Sequence, residues 1–244
     1  MSTFGYTRTE LIRTFRNRRF FIMTLAFPLV LFFLIAIPNR GVSDLAGTGI
    51  SAPLYYMVGL AAFGTIAAVL SSGTRIATER GMGWNRQLRL TPLRTRSYIR
   101  AKALTGYAMA LLTVGLLFLA GALLGVRLPV SDWLAMLGLM LVALIPFAAL
   151  GVLLGHLITP DTIGPVVGGI TAILAFLGGT WFPVGNGVLG AIAQSLPSYW
   201  LVQASHAALG GPAWPAKGWL VVAAWSVAMI LLARWAYRRD TRRV

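Results

Sequence analysis

The chain has 244 residues, 57 % of them hydrophobic, a mean hydropathy of +0.76 and a formal net charge of +15. Charged residues make up only 11 %, too few to solvate a globular domain of this size, and the absence of cysteine rules out disulfides and thiolate metal sites. Nucleic-acid binding needs basic residues gathered on one folded surface. Here 18 of the 21 Lys and Arg instead fall in three blocks, up to Arg19, within 75–102 and from Arg234 onward, and only Arg40, Arg127 and Lys217 lie elsewhere. Long apolar segments separate the blocks, which is the positive-inside pattern of a polytopic membrane protein. The basic blocks hold the cytoplasmic side and attract anionic membrane lipid, so the charge implies no nucleic acid.

Residues 4–19, FGYTRTELIRTFRNRR, put Leu11, Ile12 and Phe15 on one helical face, with Arg8, Arg13 and Arg16 mostly off it. This predicts an amphipathic helix in the membrane interface; a disordered basic tail is the alternative. The apolar run 20–37 exceeds the 7–15 residues of a signal h-region, so it reads as a retained first span. Pro28 within it is tolerated where neighbours satisfy the freed carbonyl. The second span is about 53–77 and the basic loop 78–102 follows. The third span is about 103–126, the fourth about 133–157 and the fifth about 163–182. Residues 183–217 are apolar but broken by Pro183, Pro197, Pro212 and Pro215, which suggests two short re-entrant helices in the outer leaflet. The last span is about 218–237. Six spans put both termini in the cytoplasm, and the chain reads as one all-α transmembrane domain over 1–244.

No phosphate loop, GxSxG, HExxH or paired-carboxylate cluster is present. The six acidic residues are scattered singly, and His156 and His206 lie in different segments. No metal, cofactor or catalytic residue is therefore expected in this chain. Ionisable groups at membrane depth, which mark ion-coupled carriers, are almost missing. The absence of an internal repeat also weakens a secondary-transporter reading.

Three elements invite functional readings. The pairs Gly121/Gly125, Gly151/Gly155 and Gly164/Gly168 permit close helix approach, either within the chain or at a dimer seam. Trp181, Phe182, Tyr199, Trp200 and Trp214 cluster at the expected outer side, as an interfacial aromatic belt or as a gate on a substrate path. The loop TERGMGWNRQLRLTPLRTRSYIRAK spaces Trp84 and Leu88 one turn apart, with Arg86 and Arg89 on a neighbouring face. Thr91-Pro92 reads as an N-cap followed by proline at the first helical position. A short amphipathic helix is expected there; a solvated topogenic loop is the plainer reading.

The N-terminal basic amphipathic helix, the six spans and a first cytoplasmic loop reading E-R-G…L-R-L-T-P-L resemble the ABC-2 type permeases, most closely the daunorubicin-resistance-like drug exporters. GGTWFP at 178–183 resembles the family's fifth-helix ending. Pro197 followed by Trp200 resembles its Pro-x-x-Tyr segment, although His206 stands where that family usually has Arg and Leu196 where Asn is common. The resemblance implies a membrane subunit that pairs with itself or a paralogue and docks separate ATPase subunits, which would carry ATP and Mg. It also implies a coupling helix between the second and third spans, built around Glu79, Arg80, Trp84, Arg86, Leu88, Arg89 and Pro92. Trp181, Phe182, Tyr199 and Trp200 would then line a substrate path or outer gate. The implied setting is a bacterial cell (inner) membrane, and the implied cargo is an amphipathic, drug- or lipid-like solute. An ATP-independent carrier or channel, a lipid-modifying membrane enzyme and a membrane scaffold are the competing readings.

Overall fold

With no water in the bilayer core, backbone amides must be satisfied within their own segment, and a helix does this for an apolar run of this length. A computed structural model describes residues 3–16, 21–83, 95–185, 187–209 and 214–241. Every regular element among them is helical. Helix α1 spans Thr3–Phe15. A π turn at Ile22–Ala26 leads into α2, Phe27–Ala36. Helix α3 is Ala52–Gly81, α4 is Thr95–Leu123, α5 is Val130–Ala143 and α6 is Ile145–Leu157. After a 3-10 turn at Pro160–Thr162 comes α7, Ile163–Leu177. Two short helices follow, α8 at Val188–Gln194 and α9 at Pro197–Gln203, continued by a 3-10 turn at Ala204–Leu209. Helix α10, Ala216–Thr241, closes the chain.

Among the described residues, five helical stretches are long and apolar enough to cross a membrane: 52–81, 97–123, 130–157, 160–177 and 216–240; the apolar helix 24–36 is shorter. The chain is thus an all-α polytopic membrane protein, and the shorter helix makes the count compatible with six spans. The stretch 130–157 is interrupted at Leu144, where Pro146 in the first turn of α6 cannot donate to the turn before it. The expected coupling helix, with Trp84, Arg86, Leu88, Arg89 and Pro92, lies outside the described residues.

Helix α3 is the hub, packed on α2, α4, α6 and α7. Association in lipid relies on close packing rather than on the hydrophobic effect, and α3 supplies small residues where neighbours cross it. A Cβ on Gly73 would lie 2.3 Å from the Gly151 carbonyl carbon, and one on Gly155 would lie 2.5 Å from the Gly73 carbonyl oxygen. A Cβ on Gly121 would lie 2.2 Å from Met57 Sδ. These glycines therefore serve packing within the chain, whereas a Cβ on Gly164 or Gly168 would meet nothing within 4 Å among the described residues.

The two ends of the bundle differ. At one end the principal core gathers Met57, Leu60, Met136, Trp200 and Trp214 under the short helices, which pack on α3, α5 and α10. Tyr55 Oη donates to the Gly179 carbonyl there, and Gly179 takes φ +80°, a conformation open to glycine. At the other end, Ile76, Tyr98, Ala101, Val152, Leu153, Ala233 and Ala236 form a smaller apolar floor joining α3, α4, α6 and α10. Above that floor sit most of the charges.

Candidate coupling site

Helix α3 ends at Gly81 and α4 begins at Thr95, so Glu79 and Lys102 flank the two ends of the basic loop. Lys102 is wholly buried, and its Nζ lies 2.5 Å from Glu79 Oε1 and 2.5 Å from Glu10 Oε1. Glu10, itself 2 % exposed, comes from α1. Tyr98 Oη donates to Glu79 Oε2, and the Tyr98 ring lies 5.5 Å from Lys102 Nζ, within cation–π range. Arg75 Nη1 donates to Thr14 Oγ1 at 2.6 Å and approaches Glu10 Oε1 at 3.8 Å. Ser72 Oγ adds a bond to the Lys102 carbonyl at 2.7 Å. Two cations and two carboxylates from three helices thus close a compact, formally neutral network. A buried charge is tolerated only when paired and hydrogen-bonded in this way.

Arg80, one residue on, points about 100° further round α3 and joins a second network. Its Nε lies 3.0 Å from Asp240 Oδ2 near the end of α10, and its Nη1 donates to the Gly155 carbonyl of α6 at 3.1 Å. His156 Nδ1 sits 3.0 Å from the same Asp240 oxygen, and its ring packs edge-on against Tyr237. Adjacent residues of α3 therefore reach in different directions, Glu79 to α4 and through Lys102 to α1, and Arg80 to α6 and α10.

Of the loop residues singled out in the sequence, Glu79 and Arg80 fall at this node, while Trp84, Arg86, Leu88, Arg89 and Pro92 lie outside the described residues. Glu10, Arg75, Tyr98, Lys102, His156 and Asp240 were not anticipated. Acids that look isolated along the chain are brought together in space: Glu10, Glu79 and Asp240, three of the six, all form ion pairs at this end. The one available hint was Lys102, one of two lysines in an arginine-rich chain, standing just inside an apolar run. Its compact ammonium meets both carboxylates from one point.

The aromatic residues singled out lie at the opposite end. Trp181 packs against Phe63 with ring centroids 5.8 Å apart, and Phe182 packs edge-on against Phe176 at 5.2 Å. Tyr199, Trp200, Trp214 and Trp219 form a continuous edge-on row. Trp200 Nε1 donates to the Gln194 carbonyl at 3.0 Å, and its ring would clash with any Cβ at Gly218. Trp200 is buried, whereas Phe182 is 48 % exposed.

Among the described residues no group of three or more His, Cys, Asp or Glu side chains could hold a metal ion. What the arrangement offers is mechanical: ionic ties at both ends of one loop that connect it to four helices. The described helices make an all-helical bundle with apolar spans, the class of an integral membrane protein. Residues 2–209 match the family model for the ABC-2 type transporter. The chain belongs to the ABC-2 type transporter family. It is also 28 % identical over 239 residues, 95 % of each chain, to a Bacillus subtilis (strain 168) protein provisionally named the transport permease YvfS.

Proposed function

We propose that the chain is the membrane-spanning permease subunit of an ATP-binding cassette exporter, moving an amphipathic, drug- or lipid-like solute outward. A separate ATPase subunit binds ATP and Mg and supplies the energy. The observation that carries this reading is the buried Glu10–Lys102–Glu79 network at the base of the loop. A loop that only marked topology would not require its two ends to be fastened to each other and to α1 by buried charges, which are costly to place.

In this reading the loop docks on the ATPase through Trp84 and Leu88, with Arg86 and Arg89 at the rim. ATP-driven closure of the ATPases displaces the loop. Glu79 and Lys102 transmit the displacement to α4 and α1, and Arg80 transmits it to α6 and α10. Two permease protomers, identical or paralogous, rock between states, and the solute's differential affinity for those states gives the cycle its direction. Both termini and the charged end face the cytoplasm of a bacterial cell. Trp181, Phe182, Tyr199 and Trp200 act at the outer end as a gate. Sequence resemblance to a family of drug exporters supports multidrug export as the physiological role.

The test is co-expression with the cognate ATPase. The two should purify as a stoichiometric complex from mild detergent, and Trp84→Ala with Leu88→Ala should dissociate it while leaving the permease in the membrane. Failure of the wild-type chain to hold any such ATPase would remove the proposal.

A further inference from the structure

A cavity of about 850 Å3 lies between α4, α6 and α10; it borders the coupling site at Tyr237 and is lined by none of the residues that form that site's ion pairs. Its volume falls within the roughly 300–1,000 Å3 of small-molecule sites. On α4 its wall is Ile99 and Tyr107 with Ala103 between them, and on α10 the row Ile230, Arg234 and Arg238 lines it beside Ala233 and Tyr237. Residues spaced by four share one helix face, so the α10 wall changes along one line from apolar to doubly basic. Eight residues of helix span about 12 Å. The cavity therefore runs from hydrocarbon depth to the charged end of the bundle, where α10 finishes at Thr241.

Ala148 and Ala149 of α6 give the cavity its width, and both are only partly buried. Arg234 and Arg238 are exposed. An occupant must be apolar for most of its length and carry negative charge at the end beside the two arginines. Guanidinium groups suit phosphate oxygens geometrically as well as by charge.

We propose that this cavity is a binding site for one anionic phospholipid, with an acyl chain against Ile99, Tyr107 and Ile230 and the phosphate between Arg234 and Arg238. The charge complementarity and the depth favour this occupant over an exported solute or a second copy of the chain. The orientation proposed above assigns the lipid to the cytoplasmic leaflet; binding itself does not depend on that assignment.

The purified full-length chain, transferred to detergent micelles, is mixed with phosphatidylglycerol or with phosphatidylcholine of the same acyl chains, and bound lipid is counted by native mass spectrometry. Two cations at the headgroup should favour phosphatidylglycerol roughly tenfold or more. Arg234→Gln with Arg238→Gln should reduce phosphatidylglycerol to the level of phosphatidylcholine. Ala149→Trp, with both arginines intact, should displace either lipid by filling the cavity. Arg239→Gln should bind like the wild type, because Arg239 lies over Trp235 at 5.5 Å and does not line the cavity. Equal retention of the two lipids by the wild type would overturn the proposal. So would wild-type phosphatidylglycerol binding by the double arginine variant. If Ala149→Cys formed a disulfide with the same position of a second copy in native membranes, the cavity would be an interface between copies and the proposal would fall.

Discussion

Lys102 and Glu79 stand 23 residues apart in the chain and 2.5 Å apart in space, and their contact closes the base of the loop that separates α3 from α4. Lys102 makes the same contact with Glu10, so α1 is fastened to that base as well. Removing one partner from a buried ion pair leaves an uncompensated charge and typically costs about 3–5 kcal/mol, whereas replacing every member by neutral groups of similar volume is often tolerated. Lys102→Met alone should therefore lower the thermal stability of the purified protein sharply. Adding Glu79→Gln to it should recover part of the loss, because Glu10 and Arg75 then remain as a balanced pair. A double variant no more stable than Lys102→Met would show that the charges do not act as one unit.

The glycine contacts make a second prediction. Overpacking a close helix crossing typically costs about 1–3 kcal/mol. Gly73→Ala should carry that cost, because its Cβ would lie 2.3 Å from the Gly151 backbone. Gly164→Ala and Gly168→Ala should leave the stability of the isolated protomer unchanged, since no described atom lies within 4 Å of either Cβ. Melting curves of the three variants in detergent check this, and equal losses would contradict the packing described for α3 and α6.

Orientation is tested by cysteine labelling, which is clean because the native chain has no cysteine. Ser43→Cys, in the exposed connection after α2, should react with an impermeant reagent added to intact cells. Asp161→Cys and Thr241→Cys should react only after the membrane is opened. Labelling of the Thr241 position from outside would reverse the topology.

Docking by the loop is tested separately from stability. Truncating an apolar anchor at an interface can cost about 2 kcal/mol, roughly thirtyfold in affinity, whereas a rim charge acts mainly on association rate. Leu88→Ala should weaken ATPase binding, and Trp84→Ala with Leu88→Ala should weaken it further. Arg89→Ala should have a milder effect that fades as salt is raised. Binding isotherms at two ionic strengths separate these outcomes, and wild-type affinity in the double variant would remove the anchor role.

The all-helical, membrane-spanning class was readable because a long uncharged apolar run has one stable backbone solution in a bilayer. The buried networks were not readable. Lys102 sits in a basic block where every charge looks topogenic, and Asp240 lies in RRDTRRV, which looks solvated. Helix α1 shows the difficulty most clearly. Its apolar face read as the side for the membrane interface, and Ile12 and Phe15 are each 46 % exposed, but nothing in the sequence marked Glu10 and Thr14 as the residues buried against the protein. In an interfacial helix the apolar side belongs to lipid, so the polar side is left to meet the bundle. The glycine pairs had the same ambiguity. Spacing shows that a face is smooth and leaves unsaid which helix lies on it, and only the packed bundle separates Gly155, pressed on Gly73, from Gly168, which is open.

The central claim is that this permease moves a solute only when a separate ATPase drives it. The most direct measurement is accumulation of a fluorescent amphiphile in inside-out vesicles carrying the chain, with and without the co-expressed ATPase, and with and without ATP. Accumulation should require all three components and disappear with Trp84→Ala and Leu88→Ala. Accumulation in vesicles that hold the chain alone, without nucleotide, would contradict the claim and make the protein an ATP-independent carrier.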